Sequence, residues 1–360
     1  MAIDDARRLI ADAAAAGAFP AAAIEIGDRS GVIWSESFRT SIDTPFDLAS
    51  LTKPIATTTV IMELVRTRQL GLDEPISSCF AEWRDTDRTA VTVRDLLEHA
   101  SGLPARLLDA PPGGRREFEH EICQTPLEYA PRTQSIYSDL GFILLGFLAA
   151  DRGGAPLAEL FDRIMVRLKP DTTDAGSARL QPDPLTDAGS VRLQPDLLTF
   201  SLSADARALA APTRPMGDDS RRGRVLAGDV HDSYAFALGG VAGHAGLFGT
   251  APAVGAFARA VMQAHDEPFS PARVREFTVT SAVPGSSRAL GWDTMLPTSS
   301  CGTRMSPQAF GHVGYTGTSL WLDPTRDRYF VLLTNRVYGG GSLEDIRTVR
   351  RAFHDALGDV

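Results

Sequence analysis

Apolar and polar positions change period along this chain, and the changes mark its elements. Over residues 4–16 alanines and isoleucine recur at helical spacing, and Gly17 and Pro20 close the run, which predicts a helix. Residues 21–27 and 32–38 read as two strands joined by Asp28-Arg29-Ser30-Gly31, a hairpin signal. Residues 55–70 read as a second helix, and the longest apolar run lies around Phe142 to Ala150. Near the other end, 319–322 and 329–335 form a second strand pair around Asp323-Pro324-Thr325-Arg326-Asp327, and a helix over 343–357 follows Gly339-Gly340-Gly341. Both chain ends therefore carry helix and antiparallel strands, and the middle is mostly helical. That order predicts an α+β fold in which a sheet is assembled from the two ends. The expected boundaries are 1–60 with 305–360 for the sheet half of a single domain, and 61–304 for the mostly helical half.

One segment breaks the pattern. Residues 174–186 and 187–199 are a 13-residue tandem repeat, and Val166 to Asp171 looks like a partial earlier copy. The copies are too few and too rich in Pro and Asp for a solenoid, so residues 169–196 read as an exposed, tolerated insertion.

Composition narrows the function classes. The 360 residues are 43% hydrophobic, 8% aromatic and 22% charged, a globular profile for one large or two modest domains. The formal net charge is -9, and no Lys/Arg cluster suggests a nucleic-acid face. No apolar run approaches the roughly 20 residues a bilayer span requires. Cys79, Cys123 and Cys301 are odd in number and widely spaced, which fits free thiols rather than a disulfide framework or a zinc site. Charges at 4, 5, 7 and 8 and Asp12 leave no signal-peptide apolar core, so the expectation is a cytoplasmic protein. No cofactor is expected, and the oligomeric state is left open.

The chain has only two lysines, Lys53 and Lys169, among 36 basic residues. Lysine can lose its proton when desolvated and arginine cannot. Lys53 follows Ser50 by three residues, and Pro54 marks a helix's first turn, where its missing N–H costs nothing. Ser50 would then sit at the positive end of a helix with an amine one turn on, as a nucleophile with a nearby base requires. The same spacing also fits a capping serine beside a solvated lysine.

Wider context bears on that choice. Phe46-Asp47-Leu48-Ala49-Ser50-Leu51-Thr52-Lys53-Pro54 resembles the nucleophile motif of the serine β-lactamase and penicillin-binding-protein superfamily. The likeness is greatest to the class C β-lactamase-related branch of esterases, amidases and D-Ala carboxypeptidase-like hydrolases. It extends through Gly71 to Ile76 and Val91 to Pro104, where His99 is implied to be structural. Tyr137-Ser138-Asp139 stands where the family has Tyr-x-Asn, and His312-Val313-Gly314 where it has Lys-Thr-Gly. The resemblance implies a β-lactamase/transpeptidase-like fold. It implies catalysis by Ser50, Lys53 and Tyr137, and an oxyanion hole from the N–H groups of Ser50 and Tyr315. Asp139, His312 and Gly314 are implied to line or shape the substrate site. The glycine-rich stretch Leu238 to Phe248 permits a tight loop beside a pocket, and His244 within it reads either as a residue lining the substrate site or as part of a plain structural loop. Asp139 cannot give the amide hydrogen bond of Asn and should attract a cation or donor. With His312 in place of lysine, it argues against an efficient β-lactamase. His231, Asp232 and His244 could be read as metal ligands, but nothing in the resemblance supports a metal.

The expected activity is hydrolysis of an ester or amide through an acyl-enzyme, on a small molecule or short peptide. The alternatives are a muropeptide amidase or D-alanyl-D-alanine carboxypeptidase-like enzyme, and a non-catalytic penicillin-binding scaffold.

Overall fold

The structure is a computed structural model, and it describes residues 2–107, 111–168, 197–358 and 360. The repeat insertion expected at 169–196 lies outside the described residues.

Strands β1 (Ala22–Gly27) and β2 (Val32–Phe38), from the N-terminal end, join β7 (Phe310–Val313), β8 (Ser319–Asp323) and β9 (Arg328–Thr334) from the C-terminal end. A six-stranded antiparallel sheet results, in the order β2-β1-β9-β8-β7-β6, where β6 is Asp293–Thr294. The ends meet where β1 pairs with β9, with Ile24 opposite Leu332. Every residue of β1 is buried, because both faces of the sheet are covered. Ile24, Ile26, Phe330 and Leu332 face the terminal helices α1 (Ala2–Ala15) and, later in the chain, residues 343–356, in one apolar cluster. Ala23, Val331 and Leu333 face the opposite way, into the main core. A small second sheet, β3 (Phe46–Asp47), β5 (Phe248–Gly249) and β4 (Leu198–Thr199), holds the approach to Ser50.

One expectation needs correction. The run predicted as a helix over 55–70 is α-helical only over α2 (Thr59–Arg66), and Lys53–Thr58 is wound with π-type turns. All six of these residues are buried, so the stretch has no exposed polar face whose period could tell one winding from the other. Just past the expected insertion, Leu198 and Thr199 pair with Gly249 and Phe248.

Helix α3 (Asp139–Gly153) is the centre of the helical half, with every residue from Leu140 to Ala149 buried. A helix apolar on all sides must be enclosed by protein. The helix after it, α4 (Leu157–Leu168), bends away by 71°, and among the described residues no single helix is long and apolar enough to cross a membrane. Cys79, Cys123 and Cys301 are unpaired, and burial pushes the Cys123 and Cys301 thiols up to about 12.

Candidate active site

Strand β3 delivers the chain into a tight turn before Ser50. Ala49 there has φ of 48°, a left-handed conformation that a non-glycine residue keeps only when its surroundings impose it. Thr52 Oγ1 donates to Ala49 O at 2.6 Å and accepts from Leu247 N–H at 3.1 Å, which ties the turn to the core.

Lys53 is fully buried one turn after Ser50. Its Nζ is 3.0 Å from Ser50 Oγ, 2.6 Å from Tyr137 OH, 2.8 Å from Asp139 Oδ1 and 3.1 Å from His244 O. Three N–H bonds thus face four acceptors, so the ammonium is fully satisfied. Tyr137 OH donates to Ser50 Oγ at 2.7 Å, closing a triangle of hydroxyl, phenol and amine. The solvated-lysine alternative is excluded by this burial.

Asp139 opens α3, where the helix N-terminus favours a negative charge. Its second oxygen accepts from Arg106 at 3.2 Å, and Arg106 also reaches Asp232 Oδ2 at 2.9 Å while stacking on Tyr234. Asp232 Oδ1 in turn lies 2.8 Å from His244 Nε2. The charges alternate along Lys53, Asp139, Arg106 and Asp232. Burial works against the Lys53 ammonium, but Asp139 and Tyr137 outweigh it and hold the lysine above its ordinary value. Burial likewise raises Tyr137, with Lys53 opposing only in part. Burial would raise Asp139, yet Lys53 leaves it lowered, and Asp232 is held well below the usual range by His244 and Arg106. The resting site therefore holds an ammonium, a neutral phenol and two carboxylates.

His99 behaves as a structural residue. It is buried, its Nδ1 accepts from Ser138 N–H at 3.0 Å, and its ring lies 4.7 Å from that of Tyr137. Burial, with Arg288 and Lys53 nearby, pushes its pKa well below the ordinary value.

Three of the implied residues have partners within the protein. The His244 side chain is 1% exposed and bound to Asp232, so it lines no substrate surface, and only its carbonyl reaches Lys53. Asp139 pairs with Lys53 and Arg106. Gly314 is needed because a Cβ there would lie 2.5 Å from Leu48 O and 3.2 Å from Ala49 Cβ. That close approach is to the nucleophile turn. His312 Nδ1 lies 2.9 Å from Val313 O, and its Nε2 is buried without a partner among the described residues. Burial and the cations Lys53 and Arg288 hold it well below its ordinary pKa, so it is neutral at pH 7.

Tyr315 is 38% exposed at the mouth of the site, stacked on His231. Among the described residues, neither its N–H nor that of Ser50 has a hydrogen-bond acceptor. Two free donors beside a hydroxyl–phenol–amine triangle are what stabilisation of a tetrahedral oxyanion needs. Asp139, Asp232 and His244 offer ligand atoms within 4.8 Å of one another. Lys53 and Arg106 already occupy those carboxylates, so the donor set is that of an ion-pair chain rather than a metal cage. His231 stands apart, its N–H donating to Asp47 at 2.6 Å.

A family model described as Beta-lactamase matches residues 6–354. The chain belongs to the β-lactamase family. It is a serine hydrolase of that family. A protein of Escherichia coli (strain K12), provisionally named a D-alanyl-D-alanine carboxypeptidase, is 29% identical over 334 residues, which cover 85% of this chain and 72% of that protein. Among solved structures, EstCE1, a hydrolase with promiscuous acyltransferase activity, superposes with a TM-score of 0.73 at 17% identity, covering 99% of this chain and 98% of its own. A class C β-lactamase from Rhodobacter sphaeroides gives 0.72 at 16% identity, covering 98% of each chain. At such identities the two structures share the fold, and the β-lactamase/transpeptidase architecture is established for this chain.

The sequence did not reveal Arg106 or Arg288 as members of the site, and it raised Asp232 only as a possible metal ligand. Arg106 had one indirect signal, since a carboxylate at 139 asks for a second cation. The Arg288 guanidinium lies 5.3 Å from the Tyr137 ring centre, with Asp293 as its nearest carboxylate at 3.9 Å.

Proposed function

We propose that this β-lactamase-family enzyme hydrolyses an ester or amide through an acyl-enzyme on Ser50, with Lys53 and Tyr137 as its proton-transfer pair. What carries the reading is the triangle of Ser50 Oγ, Tyr137 OH and Lys53 Nζ, whose edges are 2.7, 2.6 and 3.0 Å.

Once the Lys53–Tyr137 pair has given up one proton, the phenolate beside the ammonium is the base. It takes the Ser50 proton as Oγ attacks the acyl carbon. The N–H groups of Ser50 and Tyr315 receive the oxyanion. Tyr137 returns the proton to the leaving oxygen or nitrogen, and a water, deprotonated by the same pair, then releases the acid.

Arg288 favours a second reading, a D-alanyl carboxypeptidase-like activity. Its guanidinium beside Tyr137 has five N–H donors and, among the described residues, no carboxylate within ordinary hydrogen-bond range, so a substrate carboxylate would suit it. The provisional name of the E. coli relative points the same way.

The test is labelling of wild type and Ser50→Ala with a fluorophosphonate and with a fluorescent penicillin, read by intact mass. A fluorophosphonate adduct on wild type and none on Ser50→Ala is the expected result. An additional penicillin adduct would move the substrate class to D-alanyl peptides. Equal labelling of both proteins, or no adduct on folded wild type, would remove Ser50 from the mechanism.

A further inference from the structure

Asp47 lies three residues before Ser50 and is buried. Its Oδ1 accepts from Ala49 N–H at 2.8 Å, and its Oδ2 accepts from His231 N–H at 2.6 Å. Its carbonyl accepts from Thr316 Oγ1 at 2.7 Å. One residue therefore bonds three separate segments: the nucleophile turn, the loop that reaches His231, and the turn that carries Tyr315. Thr318 adds a parallel tie, donating to Leu48 O at 2.9 Å.

The placement of these bonds relates them to catalysis. The Ala49 N–H that Asp47 holds is one residue before the free N–H of Ser50. The Thr316 hydroxyl is one residue after the free N–H of Tyr315. Ala49 also keeps its left-handed φ of 48°, and the Asp47 carboxylate is the acceptor that fixes its N–H there. Among the described residues no Lys or Arg forms an ion pair with Asp47, so its charge is met by N–H donors. A carboxylate accepts at both oxygens, whereas an asparagine would turn an NH₂ toward one of the two N–H groups.

We infer that Asp47, with Thr316, is a positioning residue that fixes the spacing of the two oxyanion-hole donors. This rests on the acyl-enzyme reading with Ser50 as nucleophile. Because oxyanion donors must sit about 2.7–3.1 Å from an oxygen that exists only in the transition state, the effect belongs to kcat rather than KM.

The experiment uses the full chain and a matched p-nitrophenyl ester and thionoester. A hole set for oxygen disfavours the larger, weakly accepting sulfur, so wild type should prefer the oxo substrate. Asp47→Asn and Thr316→Val should lower kcat by about tenfold to a hundredfold, the scale of a displaced catalytic contact, with KM little changed. Their oxo-to-thiono rate ratio should fall, and Thr316→Ser, which keeps the hydroxyl, should restore both quantities. Folded variants with wild-type kcat and ratio would overturn the inference. So would activity lost only in proportion to folded protein with the ratio unchanged, since that marks a purely structural role. Fluorophosphonate labelling of the wild type keeps the two readings apart. No adduct at Ser50 would overturn the nucleophile assignment and this inference with it, while an adduct at Ser50 with unaffected variants overturns this inference alone.

Discussion

A carboxylate at position 139 changes the state of the base. Asp139 stabilises the Lys53 ammonium and also opposes a negative charge on Tyr137, so it raises the pKa of both partners. The pair titrates together and must lose one proton to accept that of Ser50. Activity should therefore rise with pH through the pair's apparent pKa. Asp139→Asn removes the charge and keeps the shape, which lowers that pKa and moves the ascending limb of kcat/KM toward lower pH. The expected displacement is about one unit or more, the usual effect of a charge within 4–6 Å. An unmoved limb would mean that another group is the base. Sequence and structure differ most instructively here. Ser50 and Lys53 were legible because their geometry is local, one turn of one chain segment, and Tyr137 followed from the resemblance. Arg106 and the ion-pair role of Asp232 were not legible, because the two residues lie 33 and 93 positions from Asp139 and only the folded chain brings them together. His244 misled for a related reason: a histidine in a glycine-rich loop looks like a pocket residue until its partner Asp232 is placed.

At the scale of elements, the site depends on how closely the loop before His244 crosses α3. Gly146 of α3 and Gly243 meet backbone to backbone, and a Cβ at Gly243 would lie 1.9 Å from Phe142 O. Thr57 Oγ1 donates to Gly243 O at 2.7 Å, so the same glycine is pinned from the Lys53 side. Gly243→Ala must push the loop off the helix and carry the His244 carbonyl away from Lys53 Nζ. Overpacking of this kind costs about 1–3 kcal/mol. The variant should melt below the wild type and lose turnover beyond its loss of folded protein. A wild-type melting temperature would show that the crossing has slack. The glycine density of 239–246 was visible in the sequence, but not which glycine is the crossing point. Strands β1, β2, β8 and β9 and the terminal helices, by contrast, were read to within about two residues, because a period of 2 or 3.6 over a half-buried or buried run has few other solutions, whereas two-residue strands such as β3 to β6 are too short to show a period. The π-type turns at Lys53–Thr58 escaped because winding leaves no such mark.

The whole molecule ties its last helix to its site. In α5 (Leu343–Ala356), counted after α4 (Leu157–Leu168) as the closing helix of the fold, Arg350 is buried and donates to Gly314 O at 2.8 Å and Thr318 O at 2.7 Å. These are the two ends of the turn that presents Tyr315. That the sheet is built from both chain ends was legible from the order of elements, but this reach from the terminal helix to the oxyanion turn was not. Next to Arg350, His354 packs edge-on against Phe330 and Phe353, and among the described residues neither of its ring nitrogens has a hydrogen-bond partner. Burial, helped by the Arg350 charge, pushes its pKa down to about 3. A histidine depressed in the folded state contributes stability that is fully present above the unfolded value near 6.5 and is lost as pH falls toward the folded value. Between pH 7 and pH 5, His354 alone should remove about 2 kcal/mol of folding stability. Buried carboxyls such as Glu25 and Glu98, raised chiefly by burial, act in the opposite direction, so the wild-type curve alone does not isolate the histidine. His354→Leu does, since it leaves those carboxyls in place. Chemical denaturation at the two pH values should show the variant losing about 2 kcal/mol less than the wild type. Equal losses would mean that His354 accepts a proton in the folded protein, and that the apolar layer under the sheet is open to water.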